Sequence, residues 1–277
     1  MVKKRNGQDL PLARKYELYE QTVQNVEADI DFIESEYKKL KSRDARSLRE
    51  DFGGTGALAC KWVARHPENT AWAVDLDPEP IQYGLKRHYA LLDEEQQKRM
   101  KYIEANVLDD LEFKSDIVIA FNFSYFIFKK RNQLLNYFKK VREGLSDGGV
   151  FFIDLFGGTE CGQELEEETE FDHHTYYWDC DKFNAITSEA TYYIHFKDNR
   201  TDEKFEKVFH YDWRMWSMAE LQDIMWDAGF SEVLTYWEED EDDDDDDDEN
   251  TTGSGVFYQS RDEDNCESWV TYIVGKK

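Results

Sequence analysis

The sequence predicts an α/β protein with a Rossmann-like sheet that has helices on both of its faces. Three observations lead to this prediction. A short strand-like run is followed by a glycine-rich turn at 53–56 and then by a helix-like run that begins at Ala57. A second strand-like run, 70–74, ends in Asp75 about 20 residues after the turn. Further buried-strand patterns follow at 115–121 and 149–154, in the order expected of strands joined by helices.

The turn after the first strand is the strongest local signal. Glycines at 53, 54 and 56 let the backbone turn sharply and approach a ligand without a Cβ in the way. The helix that follows presents free N–H groups at its first turn. Asp75, at the end of the next strand, is placed to accept the hydroxyl hydrogens of a ribose. Together these features predict a nucleoside-binding unit.

The spacing of the glycines excludes two common nucleotide-binding motifs. A dinucleotide fingerprint requires Gly-x-Gly-x-x-Gly, and a phosphate-binding loop requires Gly-Lys followed by Ser or Thr. The segment 53–56 reads Gly-Gly-Thr-Gly, which contains neither pattern. The bound nucleoside is therefore expected to belong to another class.

The segment 48–59 resembles the first motif of class I S-adenosylmethionine (SAM)-dependent methyltransferases, acidic-x-Gly-x-Gly-Thr-Gly. Aligned on Gly54 and Gly56, the acidic position falls on Glu50, and Phe52 stands where the family usually has its first glycine. This departure leaves Asp51 as the alternative acidic residue. The variant Leu-Arg-Glu-Asp-Phe-x-Gly-Thr is similar to that of an uncharacterised subgroup of these enzymes.

Later segments resemble further motifs of the same family, in the same order. They are 75–80, 101–107, 115–124 and 144–154. The resemblance implies a seven-stranded class I methyltransferase sheet, with an antiparallel insert after its fifth strand. It also implies SAM as the cofactor. The cofactor-binding residues it implies are Tyr19, Glu50, Gly53, Gly54, Gly56, Asp75, Leu76, Asn106, Val107, Phe121 and Asn122.

We predict four regions along the chain. Residues 1–45 would form helices that cover the cofactor, and residues 46–156 would form the SAM-binding core. Residues 157–215 would form the antiparallel insert, with strands near 175–178, 190–196 and 205–211 and a turn at 197–202. Residues 216–277 would complete the core sheet, with an acidic disordered loop at 238–255. This layout resembles small-molecule N-methyltransferases, in which such an insert covers the active site.

The insert supplies the candidate acceptor-binding residues. Trp178, Tyr211 and Trp213 would form the wall of an apolar or cation-binding pocket, although such aromatic residues are also typical of a sheet core. His195, His210 and Tyr211 are the candidate catalytic groups that would take a proton, while a structural role for either histidine is the alternative. No metal site is expected, because Asp116, Asn122 and Asp154 fit no defensible ligand pattern.

Charge and composition limit the possible partners. The net charge is −27, and subtracting the twelve charges of the acidic run 238–249 still leaves −15. Because nucleic-acid binding depends on neutralising phosphates, nucleic acid is an unlikely partner. The residues after the fourth strand, 122–125, also lack the Asn/Asp-Pro-Pro-Tyr/Phe motif of base-amino methylation. The acidic run is interpreted as a solvated loop, or as a contact for a basic protein partner.

Two further features concern the location of the protein. No apolar run approaches the roughly 18–20 residues needed to span a bilayer. Four scattered cysteines with no Cys-x-x-Cys pair indicate reduced thiols, which predicts a cytoplasmic protein and is also compatible with the nucleus.

The sequence thus predicts a SAM-dependent methyltransferase that acts on the nitrogen or oxygen of a small-molecule acceptor. Two alternatives remain open at this stage. One is a protein methyltransferase whose acidic surface attracts basic substrates. The other is a non-catalytic scaffold with the same fold, which need not bind SAM.

Overall fold

The computed structural model describes residues 2–239 and 255–277, and it contains thirteen strands and seven α-helices there. The strands are β1 (Lys3–Asn6), β2 (Ser47–Asp51), β3 (Thr70–Asp75), β4 (Met100–Glu104), β5 (Ser115–Ala120), β6 (Leu145–Gly157), β7 (Glu166–Glu170), β8 (His174–Asn184), β9 (Glu189–Asp198), β10 (Glu203–Arg214), β11 (Glu232–Glu238), β12 (Phe257–Ser260) and β13 (Trp269–Lys276). The helices are α1 (Leu12–Thr22), α2 (Val26–Lys41), α3 (Ala57–Arg65), α4 (Pro78–Arg87), α5 (Glu94–Arg99), α6 (Arg131–Gly144) and α7 (Met218–Ala228).

The central sheet contains the seven strands that the sequence predicts, in the order β11-β13-β6-β5-β2-β3-β4. Strands β2 to β6 run parallel to one another, and β13 is antiparallel to both β6 and β11. An eighth strand, β12, extends the sheet beyond β11. It consists of four residues that pair with residues 19 to 25 positions earlier in the chain, so local periodicity could not reveal it.

Helices cover both faces of this sheet because side chains alternate along each strand. Val118 and Phe151 face α6 and α7 in one buried cluster. Ile117 and Phe152 face α2 and α3 in another. The predicted α/β class is confirmed by this architecture. A ligand-binding site therefore has to lie at the ends of the strands, since helices occupy both faces of the sheet.

The insert forms a second, five-stranded sheet in the order β1-β10-β9-β8-β7. Strands β8, β9 and β10 form the antiparallel arrangement predicted for this region, with the β9–β10 turn between Asp198 and Glu203. Two members were not expected. Strand β1, from the N-terminus, pairs in parallel with β10. The acidic segment at β7, which was not among the predicted strands, is a strand because its backbone pairs with β8.

The N-terminal region divides between the two sheets. Helix α2 begins after Asn25, whose side chain accepts the N–H of Ala28, and packs on the central sheet. Helix α1 instead contributes Leu18 to a cluster with Ile194 and Phe205 of the insert. Of these two helices, α1 is therefore the one that lies beside the insert.

Two expectations concern parts of the chain with limited description. No helix in residues 2–239 or 255–277 is long and apolar enough to cross a membrane. Most of the acidic loop predicted at 238–255 lies outside the described residues, which resume at Gly255.

Candidate active site

The turn that follows β2 adopts the left-handed backbone that its glycine motif requires. Gly54 and Gly56 have φ values of 52° and 64°. Phe52 has a φ of 55°, so it takes a left-handed conformation at the position where the resembling motif has glycine. Its ring packs 6.1 Å from that of Phe128 and 5.6 Å from that of Tyr137, measured between centroids. Aromatic packing thus holds a backbone that is costly for a side-chain-bearing residue.

Asp75 supports the same turn from the end of β3. One carboxylate oxygen accepts the N–H of Gly54 at 2.8 Å, and the other accepts the N–H of Asp77 at 2.8 Å. Burial raises the pKa of Asp75 above its usual value, although these N–H groups favour the charged form. Each carboxylate oxygen retains capacity for another donor. The side chain can therefore accept hydroxyl hydrogens from a ligand while it holds the turn.

The two acidic residues that end β2 have different environments. Asp51 forms an ion pair with Arg49 and accepts the Tyr137 hydroxyl at 2.9 Å. Glu50 has no cationic partner among the described residues, and it accepts the N–H of Ala59 in the first turn of α3 at 3.1 Å. Burial raises the pKa of Glu50 to about 8. Of these two acidic residues, Glu50 is thus the one without a countercharge among the described residues.

A cavity of about 250 Å³ lies beyond the carboxyl ends of β2, β3 and β5; we call it the turn cavity. This is where open α/β sheets bind ligands. Seven of the predicted cofactor residues line it: Tyr19, Glu50, Gly53, Gly54, Asp75, Phe121 and Asn122. Its remaining wall includes Lys15 and Tyr16 of α1 and Phe209 of β10. The N-terminal helix and the insert therefore both reach the turn.

The other four predicted cofactor residues are not on the wall of this cavity. Val107 is only 4% exposed, and its side chain packs in the core. Gly56 is needed for packing, since a Cβ there would lie 2.6 Å from the ring of Tyr102. Leu76 is 66% exposed beside Asp75, and the side-chain oxygen of Asn106 accepts the Leu108 N–H.

A contact that the motif did not indicate ties α1 to the turn. The Thr55 hydroxyl donates to Glu20 of α1 at 2.7 Å, and the same carboxylate oxygen lies 2.7 Å from Nε2 of His88. Tyr16, also on α1, donates its hydroxyl to Glu79 of α4 at 2.9 Å. Helix α1 thus covers the turn cavity through polar contacts with the core. The sequence predicted helices within residues 1–45 but could not identify these partners.

Asp154, near the end of β6, is a second acidic residue that holds a loop through backbone N–H groups. The motifs did not single it out. Its carboxylate accepts the backbone N–H groups of Asn122 and Phe123 at 2.6 and 3.0 Å. Both of these residues have a φ of 56°, so the loop after β5 is left-handed at two consecutive positions. Burial raises the pKa of Asp154 to about 8. An acid at a strand end, the signal that identified Asp75, could have identified it.

A second cavity, of about 450 Å³, lies between the insert sheet and the ends of the central strands; we call it the insert cavity. Trp178, Tyr211 and Trp213 line it, as do Tyr176 and Tyr192. Their rings contact one another, with Trp178 stacked on Tyr192 at 4.8 Å and Tyr211 at 4.3 Å from Trp213. The aromatic residues predicted to bind the acceptor are brought together on this wall.

The two cavities meet at a shared set of residues. Tyr19, Asn122 and Tyr211 line both of them. Burial raises the pKa of Tyr19 to about 12. The pKa of Tyr211 is well above its ordinary value, mainly because of burial and, to a smaller extent, because of the neighbouring Tyr19. Both hydroxyls are therefore protonated at neutral pH. The junction can donate hydrogen bonds but contains no tyrosinate base.

The structure corrects the prediction that His195 or His210 takes a proton from the acceptor. Tyr192 and Ile194 of β9 face the insert cavity, and adjacent residues of a strand point to opposite faces. His195 therefore lies on the far face, and so does His210, whose ring stacks on Tyr193 at 5.0 Å. Alternation places Tyr211 on the cavity side and its neighbour His210 away from it.

His195 belongs instead to a polar network on that far face, together with Glu166 and Asp179. Their ligand atoms lie within 4.8 Å of one another. However, Nδ1 of His195 accepts the backbone N–H of Lys207 at 2.7 Å, so the proton of the neutral ring is on Nε2 and is directed to Asp179 at 3.1 Å. Glu166 is paired with Lys204 at 2.7 Å. The nitrogen lone pair that a metal would need is not available in this arrangement.

Comparison with known proteins identifies the fold. No protein-family model matches the sequence, and no curated protein resembles it in sequence. The structure is similar to an S-adenosylmethionine-dependent methyltransferase from Clostridium acetobutylicum, with a TM-score of 0.67 and 17% identity over 94% of this chain and 96% of that one.

Two further structures are similar over comparable lengths. One is an amino pentose methyltransferase from Micromonospora echinaspora, with a TM-score of 0.64 and 12% identity over 95% of this chain and 96% of that one. The other is a sugar N-methyltransferase from Streptoalloteichus, with a TM-score of 0.60 and 16% identity over 95% and 92%. The chain therefore has the fold of class I SAM-dependent methyltransferases, as its motifs predicted.

Proposed function

We propose that this chain transfers a methyl group from SAM to the nitrogen of a small-molecule acceptor. The observation that carries the proposal is the junction of the two cavities, where Tyr19, Asn122 and Tyr211 belong to both walls. Methyl transfer is an in-line displacement that requires near contact between the two reactants. Two adjoining cavities, one at the glycine turn and one under the insert, satisfy this requirement.

The turn cavity fits SAM by the chemistry of its side chains. Asp75 would accept the ribose hydroxyls with the capacity that its two N–H bonds leave free. A cationic ligand would favour the charged form of Glu50 and be stabilised by it, since this side chain is buried without a countercharge among the described residues. SAM supplies an electrophilic methyl group on a sulfonium. The role of the chain is then to hold both reactants and to exclude water from them.

An amine suits the insert cavity better than a hydroxyl acceptor does. A neutral amine carries its own lone pair, whereas a hydroxyl needs a base to remove its proton. His195 and His210 lie on the far face of the insert, and burial keeps the Tyr211 hydroxyl protonated. The similar structures named for amino pentose and sugar N-methyl transfer support this choice.

Calorimetry with SAM and with its demethylated product S-adenosylhomocysteine tests the cofactor part of the proposal. We expect Asp75→Ala to weaken SAM binding by about 1.5–3 kcal/mol, the value of hydrogen bonds to a charged acceptor. Asp93→Ala is the matched control, since Asp93 also accepts a backbone N–H but caps α5 away from both cavities. Absence of SAM binding by the unaltered chain would contradict the assignment and favour a scaffold.

Incubation with methyl-labelled SAM and a panel of small primary amines tests the transfer itself. Label should appear in an amine and not in the matching alcohol, because only the amine can react without a base. Transfer to alcohols alone would contradict the choice of nitrogen.

A further inference from the structure

The insert cavity carries two carboxylates in addition to its aromatic wall. Glu160 and Glu167 both line it, and neither lines the turn cavity. We infer that these two residues bind a second, positively charged group of the acceptor, so that the preferred substrate is a diamine and anionic acceptors are rejected. This inference rests on the proposed function and names the substrate class of the same site.

Strand register explains why Glu167 faces the cavity. Glu167 of β7 lies directly opposite Trp178 of β8, and cross-strand partners point to the same face of a sheet. The neighbours on either side in the strand point the other way. Glu166 reaches Lys204 and the His195 network, and Glu168 lies opposite Tyr177. Of these three consecutive glutamates, only the middle one is presented to the aromatic wall.

The charge of this pair is not balanced by the described part of the chain. Neither Glu160 nor Glu167 forms an ion pair with a described residue, and no described lysine, arginine or histidine lines the insert cavity. The pKa of Glu167 is raised by partial burial and by the charge of Glu160. Two like charges that face one cavity repel each other, and a bound cation would relieve that repulsion. A phosphate or carboxylate would meet the same two charges and be repelled.

The reaction itself requires that the two nitrogens of the acceptor differ. The nitrogen that is methylated must be neutral, because its lone pair forms the new N–C bond as the C–S bond breaks, and one N–H proton then leaves to solvent. A carboxylate beside that nitrogen would favour its protonated form. Glu160 and Glu167 are therefore suited to hold the other ammonium group. The faces of Trp178 and Trp213 would stabilise the cationic chain between them.

Three probes of similar length separate charge from size: 1,4-diaminobutane, 1-aminobutane and 4-aminobutanoate. We expect kcat/KM with SAM to be about tenfold higher for the diamine than for the monoamine, the worth of roughly one charge-assisted contact. The amino acid should be the poorest substrate of the three. Equal values for all three probes, or a preference for 4-aminobutanoate, would overturn the inference.

Glu167→Gln and Glu160→Gln should each remove the preference for the diamine over the monoamine, while SAM binding stays unchanged because neither residue lines the turn cavity. Glu168→Gln is the matched control, since it removes the same charge from the opposite face of β7. If Glu168→Gln abolishes the preference equally, the effect is one of overall charge and the inference fails.

A binding experiment keeps the inference distinct from the proposed function. Calorimetry of each probe with the protein saturated with S-adenosylhomocysteine measures the charge preference without turnover. A preference for the diamine that depends on Glu167, without methyl transfer to any amine, would support this inference and contradict the proposed function. Methyl transfer without any charge preference would do the reverse.

Discussion

Asp154 holds the backbone of Asn122 at the border between the two cavities. The N–H of Asn122 donates to one carboxylate oxygen at 2.6 Å, while the N–H of Phe123 donates to the other at 3.0 Å. These bonds stabilise two consecutive left-handed residues, a conformation that side-chain-bearing residues adopt only when their surroundings enforce it. Since Asn122 lines both cavities, the position of this loop determines how the two reactants would meet.

Asp154→Asn should therefore lower turnover at least about tenfold, a loss of about 1.4 kcal/mol or more in the activation free energy. The asparagine amide can accept only one of the two N–H groups, which leaves a buried donor unpaired at a cost of about 1–3 kcal/mol. The measurements are kcat and the free energy of unfolding. Asp116→Asn is the control, because Asp116 accepts the Arg46 N–H at 2.9 Å at the opposite end of β5. A parallel loss of turnover in the control would contradict the positioning role.

Variants with a small residue at position 52 should differ in stability in an unusual order. Alanine and glycine both remove the ring, but only alanine pays the cost of the left-handed backbone at a φ of 55°. We expect Phe52→Gly to be more stable than Phe52→Ala by about 1 kcal/mol, after allowance for the greater freedom of glycine in the unfolded chain. Urea unfolding measures the difference.

The same pair of replacements at Phe128 provides the comparison for Phe52. Phe128 is buried and belongs to the cluster that Phe52 packs against, but its φ is −80°, which any residue adopts. There alanine should be the more stable of the two replacements. The same order at both positions would show that backbone strain at Phe52 is not significant.

Glu50 should make the ligand-free protein less stable as the pH rises. Burial raises its pKa in the folded state to about 8, above its value of about 4.3 in an unfolded chain. The folded state therefore binds this proton more tightly, so the contribution to stability is complete below about pH 4.3 and is lost as the pH rises through about 8. Between about pH 5.5 and 8.5 the loss should be on the order of 3 kcal/mol.

Glu50→Gln tests this linkage because it keeps an acceptor for the Ala59 N–H and removes the charge. The variant should lack that loss and should be more stable than the unaltered chain at pH 8.5, as measured by urea unfolding at both pH values. Glu95→Gln on the exposed helix α5 controls for net charge. Identical pH profiles for Glu50→Gln and the unaltered protein would refute the assignment.

Trp178 should contribute to acceptor binding and not to cofactor binding, because it lines only the insert cavity. We expect Trp178→Ala to raise the acceptor KM or lower turnover while SAM affinity stays within about threefold, or roughly 0.6 kcal/mol. Trp226→Ala, on an exposed face of α7, is the control. A loss of SAM affinity comparable to the loss in kcat/KM would place Trp178 at the cofactor instead.

The sequence was most informative where function depends on neighbouring residues. The sequence placed Gly53, Gly54, Asp75 and Glu50 at one ligand site, and all four line the turn cavity. Their role in binding the cofactor stays a prediction. Their relationship is set by a short strand–turn–helix unit, in which spacing along the chain fixes spacing in the structure. The strands and helices of the core were predicted for the same reason.

Local sequence patterns could not predict the orientation of side chains that depend on partners far away in the chain. His195 and His210 were predicted as bases from their residue type, but the register of β9 and β10 turned both away from the cavity. Val107 was placed at the cofactor by motif position, and packing buried it in the core. Chain order alone does not state which face of a strand meets which neighbour, since a shift of one residue exchanges the two faces.

By itself, the sequence determined the class of fold and the identity of the glycine turn, because both arise from periodicity and spacing along a continuous stretch. Only the tertiary structure decided that the two cavities share Tyr19, Asn122 and Tyr211. These residues come from α1, the loop after β5 and β10, and they are separated by about 90 to 100 positions in the chain. The insert and α1 pack on the ends of the central strands, and this packing brings the three residues together. It is driven by the burial of apolar surface, which involves the tertiary structure and not one local segment.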